Sequence, residues 1–299
     1  MKIKEWLQVF RAQTAPLTVF TMFTAYMAGN WDIIFAIIIF FLAIAIHFAS
    51  YGQNSLLDTV MGYDIDDPAK SHHPLVTGSI GHYIGHHVIN AMVIMVVIIS
   101  GIITLIITMT NGYQWSSYWS IFFLLLSIIL GISYNTGMSK VSPLASTIFA
   151  FYIVSTVSWT WLLSHSTFGI IGLTLLAYYF ILSYFLINWA GDIKDIGRPT
   201  PSNLLLRFKF VKHRVFGNNY EGEIPEINYD NLEYQNHFYL IYWLLKSIML
   251  LLLFALVGIQ VDLVIVIYLV GLFFISYVLF EKTITTTDRD KIVKYSLHL

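Results

Sequence analysis

The sequence predicts an all-α integral membrane protein, a bundle of eight or nine transmembrane helices. Two observations carry this prediction: 57% of the 299 residues are hydrophobic while only 11% are charged, and long apolar runs recur along the whole chain. A soluble domain averages about 25% charged residues. A chain of this length holds eight or nine spans of about 20 residues each.

Eight apolar runs have the length that a membrane-spanning helix needs, and they set the predicted organisation. They cover residues 13–29, 32–53, 84–109, 117–135, 143–164, 168–190, 237–259 and 261–281. A polar insertion at about 196–236 separates the sixth run from the seventh. We therefore expect one transmembrane domain over residues 1–299 with a single cytoplasmic insertion.

The basic residues predict the orientation of the helices. Fifteen of the 16 Lys and Arg residues lie at the termini or in alternate loops, which eight spans place on one side. Cytoplasmic loops carry the excess of Lys and Arg, so we expect a multi-pass protein of the cell membrane with both termini cytoplasmic. Lys246 lies inside the seventh run, and we expect it to snorkel to the interface rather than face the bundle interior.

Composition also excludes several functional classes. The chain contains no Cys, which rules out disulfides, thiolate catalysis and Cys-ligated metals. Its net charge of −1 argues against nucleic acid as a partner, because that binding depends on neutralising phosphates with Lys and Arg. The expected surroundings are the lipid bilayer.

A polar stretch at residues 53–80, QNSLLDTVMGYDIDDPAKSHHPLVTGSI, follows the second apolar run. Asn54 and Asp58 are four residues apart and share a helix face, and Asp64 follows a predicted turn at Gly62. Carboxylates at the end of a membrane helix are costly, so each is a candidate functional residue. The alternative interpretation is a solvated loop between two helices.

The sixth apolar run ends in a second acidic group, LINWAGDIKDIGRP. Asn188, Asp192 and Asp195 fall at positions i, i+4 and i+7, and therefore on one helix face. Two even-numbered helices thus carry Asn-x-x-x-Asp at the same predicted side of the membrane. We expect the two acidic groups to face one another, with Asp58 and Asp192 approaching across a central cavity.

Facing carboxylates repel each other unless cations lie between them. Ligand sets made only of oxygen suit Mg²⁺, which keeps some of its waters and bridges to phosphate oxygens. Basic side chains on the same side would complete a site for a diphosphate. The available ones are Lys70, Lys140, Lys194 and Arg198.

Four segments, in this order along the chain, resemble the UbiA superfamily of membrane prenyltransferases. They are RAQTAP near the N-terminus, the first acidic stretch, SYNTGMSK and DIKD, and the similarity covers nearly the whole chain. The resemblance implies a helical bundle with a central cavity open to the cytoplasmic side. It also implies Mg²⁺-dependent transfer of a polyprenyl group, a non-methyl alkyl group, from an allylic prenyl diphosphate to a lipophilic acceptor.

The resemblance also implies roles for individual residues. Asn54, Asp58 and Asp64 would form a first metal cluster, and Asp192 and Asp195 a second, to which we add Asn188 because it shares their helix face. Among these we expect the catalytic residues to be Asp58, Asp64, Asp192 and Asp195. The residues expected to bind the diphosphate are Arg11, Lys70, His73, Tyr134, Lys140, Lys194 and Arg198.

The sequence departs from the family's pattern at four places. Ser55 replaces an Asp that usually follows the Asn, and the spacing from Asp58 to Asp64 is two residues longer than usual. His73 stands where an Arg commonly precedes the Pro, and Pro199 where the second motif often has another Asp. These departures indicate either an outlying subfamily or lost activity.

Other functions stay open at this point. The acidic residues could line a membrane cation transporter, although transporter acids usually lie near the bilayer midplane, or the chain could be a non-catalytic scaffold. His82 and His86 have a spacing that suits zinc, but no Glu or Cys completes the set. The acceptor is also open: an aromatic quinone precursor, a glycerol-phosphate ether lipid, a tetrapyrrole or a carotenoid end.

Overall fold

A computed structural model of the chain describes most of its residues in two compact units. The described residues are 3–28, 32–62, 64–65, 70–111, 115–138, 144–165, 167–194, 196, 203–213, 232–259, 261–286, 291–292 and 294–295. Unit 1 comprises Met1–Met138 with Phe151–Leu176, and unit 2 comprises Ser139–Ala150 with Ala177–Leu299. The expectation of one transmembrane domain stays a prediction.

The described part of the chain is almost entirely helical. Its helices are α1 (Ile3–Val9), α2 (Ala15–Met27), α3 (Ile33–Val60), α4 (His82–Asn111), α5 (Trp115–Ser133), α6 (Ala145–Ser164), α7 (Gly169–Ile181), α8 (Asn188–Lys194), α9 (Leu204–Arg207), α10 (Asn236–Gly258) and α11 (Leu263–Thr285). Two π-helical segments, Tyr134–Met138 and Leu182–Ile187, continue α5 and α7, and a short 3₁₀ segment covers Ala12–Thr14. Strands β1 (Val211–His213) and β2 (Leu232–Tyr234) pair as an antiparallel hairpin.

Among the described residues, seven helices are long and apolar enough to cross a membrane, which makes the chain a multi-pass membrane protein. The first predicted run, 13–29, corresponds to α2, whose 13 residues reach only about 20 Å, short of the ~30 Å hydrocarbon core. The left-handed backbone of Arg11, with φ 46°, ends the preceding helical turns. Helix α3 continues to Val60, seven residues past the predicted end at 53, and the chain turns back only after that residue.

The N-terminal helix α1 packs against the end of α3 in unit 1. Trp6, Val9 and Phe10 join a buried apolar cluster with residues of α3, α4 and the turn between them. A Cβ at Gly52 would lie 3.0 Å from the Phe10 ring, so the close approach of α1 depends on this glycine. The buried hydroxyl of Ser55 donates to the Val9 carbonyl at 3.0 Å.

This hydrogen bond accounts for one departure from the family's pattern. The Ser55 side chain is fully buried and faces a carbonyl oxygen, which is an acceptor and requires a donor opposite it. A carboxylate at position 55 would meet that oxygen with a second acceptor. Serine at this position therefore anchors α1 where an Asp would repel it.

Unit 2 is centred on the fully buried Trp189 of α8. Its indole lies against Phe210, Phe238 and Phe280, with ring centroids 5.3, 5.3 and 6.3 Å away. Phe210 directly precedes β1, so the described part of the predicted insertion 196–236 packs on the helices through an aromatic contact.

Lys246 forms an ion pair with Glu281 of the neighbouring helix, at 3.0 Å between Nζ and Oε1. The hydroxyl of Tyr242 donates to the same carboxylate oxygen at 2.9 Å. The ammonium also lies 4.7 Å from the centroid of the Trp243 ring, a favourable cation–π distance. Glu281 lies four residues before the end of α11, so Lys246 reaches along the helices toward that end.

Lys246→Met and Glu281→Gln are each expected to lower the free energy of unfolding by roughly 1 kcal/mol, the scale of interhelical polar contacts in membrane proteins. The double variant should lose less than the sum, because the second change removes a group already left without its partner. Unfolding in mixed detergent measures the loss in each single variant and in the double variant. Ser247→Ala is the matched control, since Ser247 donates only to the carbonyl of Trp243 in its own helix. Strictly additive losses would show that the pair is energetically unimportant.

Candidate active site

The first acidic cluster lies in unit 1, at the end of α3. The Asn54 amide donates to Asp58 Oδ2 at 3.0 Å, as their four-residue spacing predicts. The chain then reverses at Gly62, whose φ of 86° is unfavourable for residues with a Cβ. The Asp64 amide returns to donate to the Asp58 carbonyl at 3.2 Å.

This turn brings the backbones of Asp58 and Asp64 together, and both side chains are buried. Asp58 is 6% exposed and Asp64 is 4% exposed, so neither is a solvated loop acid. The longer spacing therefore still leaves the backbones of the two residues within hydrogen-bond distance. The roles of Asp58 and Asp64 in metal binding stay a prediction.

Lys70 lies against the same cluster. Its ammonium is 3.4 Å from Asp64 Oδ2, and both side chains are largely buried. A cation predicted to bind diphosphate thus lies beside an acid predicted to bind metal. Lys70 begins a turn in which the His73 amide donates to the Lys70 carbonyl.

His73 is a buried imidazole whose two ring nitrogens have no hydrogen-bond partner among the described residues. It is only 4% exposed. Burial, and then the positive charges of Lys70 and Arg11, lower the pKa of His73 to about 3. The side chain is therefore neutral at physiological pH. Buried polar atoms without a described partner, close to the positive charges of Lys70 and Arg11, are the arrangement expected where an anionic ligand completes the site.

Arg11, another predicted diphosphate residue, occupies a strained bend. Its φ of 46° and ψ of 49° are left-handed, which costs a residue other than Gly about 1–3 kcal/mol. The Thr14 hydroxyl donates to the Arg11 carbonyl at 2.8 Å, and the guanidinium lies 5.5 Å from the centroid of the Tyr51 ring. We call residues Arg11–Thr14 the N-terminal bend.

His47, fully buried on α3, holds this bend from the other side. Its Nε2 lies 3.2 Å from the Arg11 carbonyl, which only accepts, so we assign the proton to Nε2. Its Nδ1 lies 3.0 Å from the Thr18 hydroxyl, which then acts as the donor. One neutral tautomer thus satisfies both ring nitrogens.

His47→Phe is expected to loosen the N-terminal bend, because it removes the donor to the Arg11 carbonyl, a contribution of about 1 kcal/mol. Trypsin cleavage after Arg11 in the detergent-solubilised protein should become roughly five- to tenfold faster. His47→Gln, whose amide can replace the Nε2 donor, should stay near the parental rate. His165→Phe, directly after the end of α6 in unit 1, is the control; equal cleavage in all four proteins would contradict this role.

The second acidic cluster lies in unit 2, on α8. The Asn188 amide donates to the carbonyls of Ser146 and Tyr184, each at 3.2 Å. The Asp192 carboxylate accepts from the Leu204 amide at 2.7 Å, and its carbonyl accepts from the Asn203 side chain at 2.9 Å. Asp192 therefore also fastens the start of α9.

Several predicted site residues cannot be placed in this geometry. Asp195, Lys140 and Arg198 lie outside the described residues, as does the side chain of Lys194. Tyr134 begins the π-helical segment that continues α5. Asp58 and Asp192 belong to different units, and their expected approach stays a prediction.

The donor set of the first cluster fits a hard divalent cation. Asp58, Asp64 and Asn54 offer only oxygen ligands, and Mg²⁺ binds through one or two carboxylates while keeping several waters. No group of three His, Cys, Asp or Glu residues that could hold a metal by itself occurs in the described part of the chain. In particular, His86 is exposed and its ring lies against Asn90, so these residues do not support the zinc alternative.

Sequence reasoning missed the residues that support the site rather than line it. A second polar stripe runs along α3 beside the Asn54–Asp58 face. It has one residue at every fourth position: His47, Tyr51, Ser55 and Thr59. Such a stripe in an otherwise apolar helix is the signal that could have identified them, because polar groups inside membrane helices face protein or water.

No protein-family model matches the chain, and no curated protein matches it in sequence. Two solved structures resemble it over 98% of its length, each at 12% identity. One is a UbiA homologue from Archaeoglobus fulgidus bound to GPP and Mg²⁺, with a TM-score of 0.59 and 95% of that chain covered. The other is a digeranylgeranylglyceryl phosphate synthase, with a TM-score of 0.55 and 91% covered. The chain therefore has the fold of these two structures.

Proposed function

We propose that the protein is a Mg²⁺-dependent prenyltransferase that moves a polyprenyl group from an allylic prenyl diphosphate to a lipophilic acceptor. The observation that carries the proposal is the juxtaposition, in unit 1, of two buried carboxylates with Lys70 and the unpaired imidazole of His73. The solved structure of a UbiA homologue with GPP and Mg²⁺ supports this assignment by analogy of fold.

The acidic residues have the role of holding the metal. Asp58, Asp64 and Asn54 would bind it in unit 1, and Asn188, Asp192 and Asp195 form the corresponding set in unit 2. Bound Mg²⁺ neutralises the negative charge that develops on a departing diphosphate. The buried positions of Asp58 and Asp64 keep water from competing for their oxygens.

The basic and neutral donors have the role of binding the diphosphate. Lys70 and Arg11 supply positive charge, and His73 supplies an N–H donor that no described residue uses. Tyr134, Lys140, Lys194 and Arg198 are the further candidates for diphosphate contacts. Charge-assisted hydrogen bonds of this kind are about twice as strong as neutral ones.

The proposed reaction needs no oxidant or reductant. The allylic C1–O bond breaks and its electron pair leaves with the diphosphate. A nucleophilic atom of the acceptor forms the new bond to C1, and the proton that this atom loses passes to water. The apolar helices around the site keep the electrophilic carbon away from bulk water.

Isothermal titration with geranyl diphosphate, with and without Mg²⁺, tests the donor site, and mass spectrometry of lipids after incubation with acceptors tests transfer. We expect metal-dependent binding that Lys70→Met weakens, followed by diphosphate release. Absence of metal-dependent binding would overturn the proposal and favour a cation transporter. Metal-dependent binding without transfer to any acceptor of a broad panel would indicate a non-catalytic scaffold.

A further inference from the structure

A basic turn in unit 2, at the end of α9, has no role in the site described above. We call Arg207, Phe208 and Lys209 the basic turn, and all three side chains are exposed. Phe208 keeps 51% of its side chain accessible. Two cations on either side of an exposed aromatic ring are the combination by which protein segments bind the surface of a membrane.

The backbone of the basic turn holds a lysine where another residue is favoured. The Phe208 amide donates to the Leu204 carbonyl at 2.9 Å, and the Phe210 amide donates to the Leu205 carbonyl at 2.8 Å. This pattern closes a helix through a left-handed residue, usually Gly or Asn. That residue here is Lys209, with φ 54°. Unfavourable backbone conformations concentrate at functional segments, which indicates that the lysine side chain has a use at this position.

The basic turn is fixed to the start of α10. The His237 Nε2 lies 3.4 Å from the Phe208 carbonyl, which only accepts, so Nε2 is the donor. The ring of Phe210, the next residue, lies 5.2 Å from the His237 ring and 5.6 Å from the Phe208 ring, between centroids. Phe210 in turn packs on Trp189 of α8. The turn is therefore attached at the point where α10 begins.

The position of α10 sets the depth of the basic turn in the bilayer. The 23 residues of α10 span about 35 Å, slightly more than the ~30 Å hydrocarbon core. Its first two turns expose Tyr239 and Trp243 by 41% and 56%, and these residue types are enriched at membrane–water interfaces. Leu240, between them, is 70% exposed. The start of α10, and the basic turn with it, thus lies at the level of the lipid headgroups.

The charge of the basic turn is not balanced by the hairpin that follows it. In that hairpin, Lys212 of β1 lies opposite Glu233 of β2, so a positive and a negative residue face each other there. Glu233 is the acidic residue among the described residues of the insertion. Arg207 and Lys209 are therefore the excess positive charges of this described segment.

We propose that the basic turn binds anionic phospholipids of the leaflet at the Asn236 end of α10. Arg207 and Lys209 contact the headgroup phosphates, and the Phe208 ring inserts among the uppermost acyl carbons. An anionic leaflet attracts basic side chains that lie next to a membrane helix, and a guanidinium can bind a phosphate through two parallel hydrogen bonds. A lipid thus satisfies the charges and the aromatic ring together. This inference does not depend on the proposed function.

The absence of Cys from the chain allows a direct test of depth. Phe208→Cys provides a single attachment point for a fluorophore that doxyl-labelled lipids quench on contact. We expect stronger quenching in nanodiscs that contain phosphatidylglycerol than in discs of phosphatidylcholine alone, and high salt should remove the difference by screening. Trp115→Cys is the control: this residue is 81% exposed at the start of α5, and no Lys or Arg occurs in residues 83–139. Its label should respond equally to both lipids.

Variants made in the labelled protein test the two charges. Arg207→Gln and Lys209→Asn should each lower the apparent affinity for phosphatidylglycerol roughly fivefold, the contribution of one basic residue near an anionic surface. Lys209→Asn should not lower the unfolding temperature, because Asn accepts the left-handed conformation, and Lys209→Arg should keep the lipid response. Lys4→Gln, which changes an exposed lysine of α1 in unit 1, should match the parent.

Three results would overturn the proposal. The first is equal quenching of the Phe208→Cys label in neutral and anionic discs, or a response that Arg207→Gln and Lys209→Asn leave unchanged. The second is an effect of phosphatidylglycerol that inorganic phosphate reproduces in neutral discs, which would indicate a site for free anions. The third is a label that no lipid quenches, which would direct the basic turn toward a protein partner.

Discussion

Asp58→Asn and Asp192→Asn are each expected to lower turnover by about 10²- to 10⁴-fold, because stabilisation of a leaving group by metal is worth several kcal/mol and each 1.36 kcal/mol is a factor of ten. Asparagine keeps the size of the side chain and an oxygen that can accept from Asn54 or from the Leu204 amide. The substitution therefore removes charge while the local hydrogen bonds survive. Diphosphate release over a range of Mg²⁺ concentrations measures the loss.

Two aspartates at the starts of apolar helices provide matched controls. Asp32 caps the start of α3 by accepting from the Ile34 amide, and Asp262 caps α11 by accepting from the Val264 amide. Asn is an equally good capping residue, so Asp32→Asn and Asp262→Asn should leave both stability and turnover unchanged. Near-parental rates for Asp58→Asn and Asp192→Asn at limiting Mg²⁺ would refute the role of the acids and favour a protein that no longer transfers prenyl groups.

His73→Phe is expected to weaken binding of prenyl diphosphate about 10- to 100-fold without destabilising the protein. A hydrogen bond to a charged group is worth about 1.5–3 kcal/mol, and the donor is lost. The unliganded protein loses nothing, because the imidazole nitrogens have no partner among the described residues. Titration calorimetry and detergent unfolding together measure both effects.

The same variant should change how stability depends on pH. The pKa of His73 is about 3, against the ordinary 6.5, so between these values the unfolded chain binds a proton that the folded protein does not. The free energy of unfolding of the unliganded protein should therefore rise from pH 3 to 6.5 and be independent of His73 above that. In His73→Phe this rise should be smaller.

His72 provides the control for both measurements, since it is the exposed neighbour of His73. We expect His72→Phe to retain diphosphate affinity and most of the parental pH dependence, because burial is the largest cause of the lowered pKa of His73. If His73→Phe binds the diphosphate as tightly as the parent does, His73 does not contact it.

Much of the first acidic cluster could be predicted because it is built from residues that are close together in the sequence. The four-residue spacing of Asn54 and Asp58 fixes a shared helix face whatever the rest of the chain does. The position of Asp64 beside Asp58 followed from motif matching, and the turn at Gly62 gives it a physical reason. The helices themselves were predictable because long apolar runs have few alternatives in a bilayer.

The supporting contacts were not predictable because they depend on residues distant in sequence. Nothing near Arg11 indicates that His47 will bond its carbonyl, and nothing near Ser55 indicates that Val9 will lie opposite. The left-handed conformation of Arg11 is likewise decided by tertiary contacts against its own backbone preference. Sequence periodicity also assumes regular α geometry, so it cannot reveal the two π-helical segments.

The π-helical segment Leu182–Ile187 has a consequence for how this chain can tolerate change. Each extra residue in a helical turn rotates everything after it by about 100° around the axis, since an α-helix has 3.6 residues per turn. Deleting one residue there would restore regular winding and turn the Asn188 and Asp192 side chains away from Ser146 and the Leu204 amide. Inserting or deleting one residue in this short segment would thus change the direction in which the second acidic motif faces. Substitutions there would keep that direction.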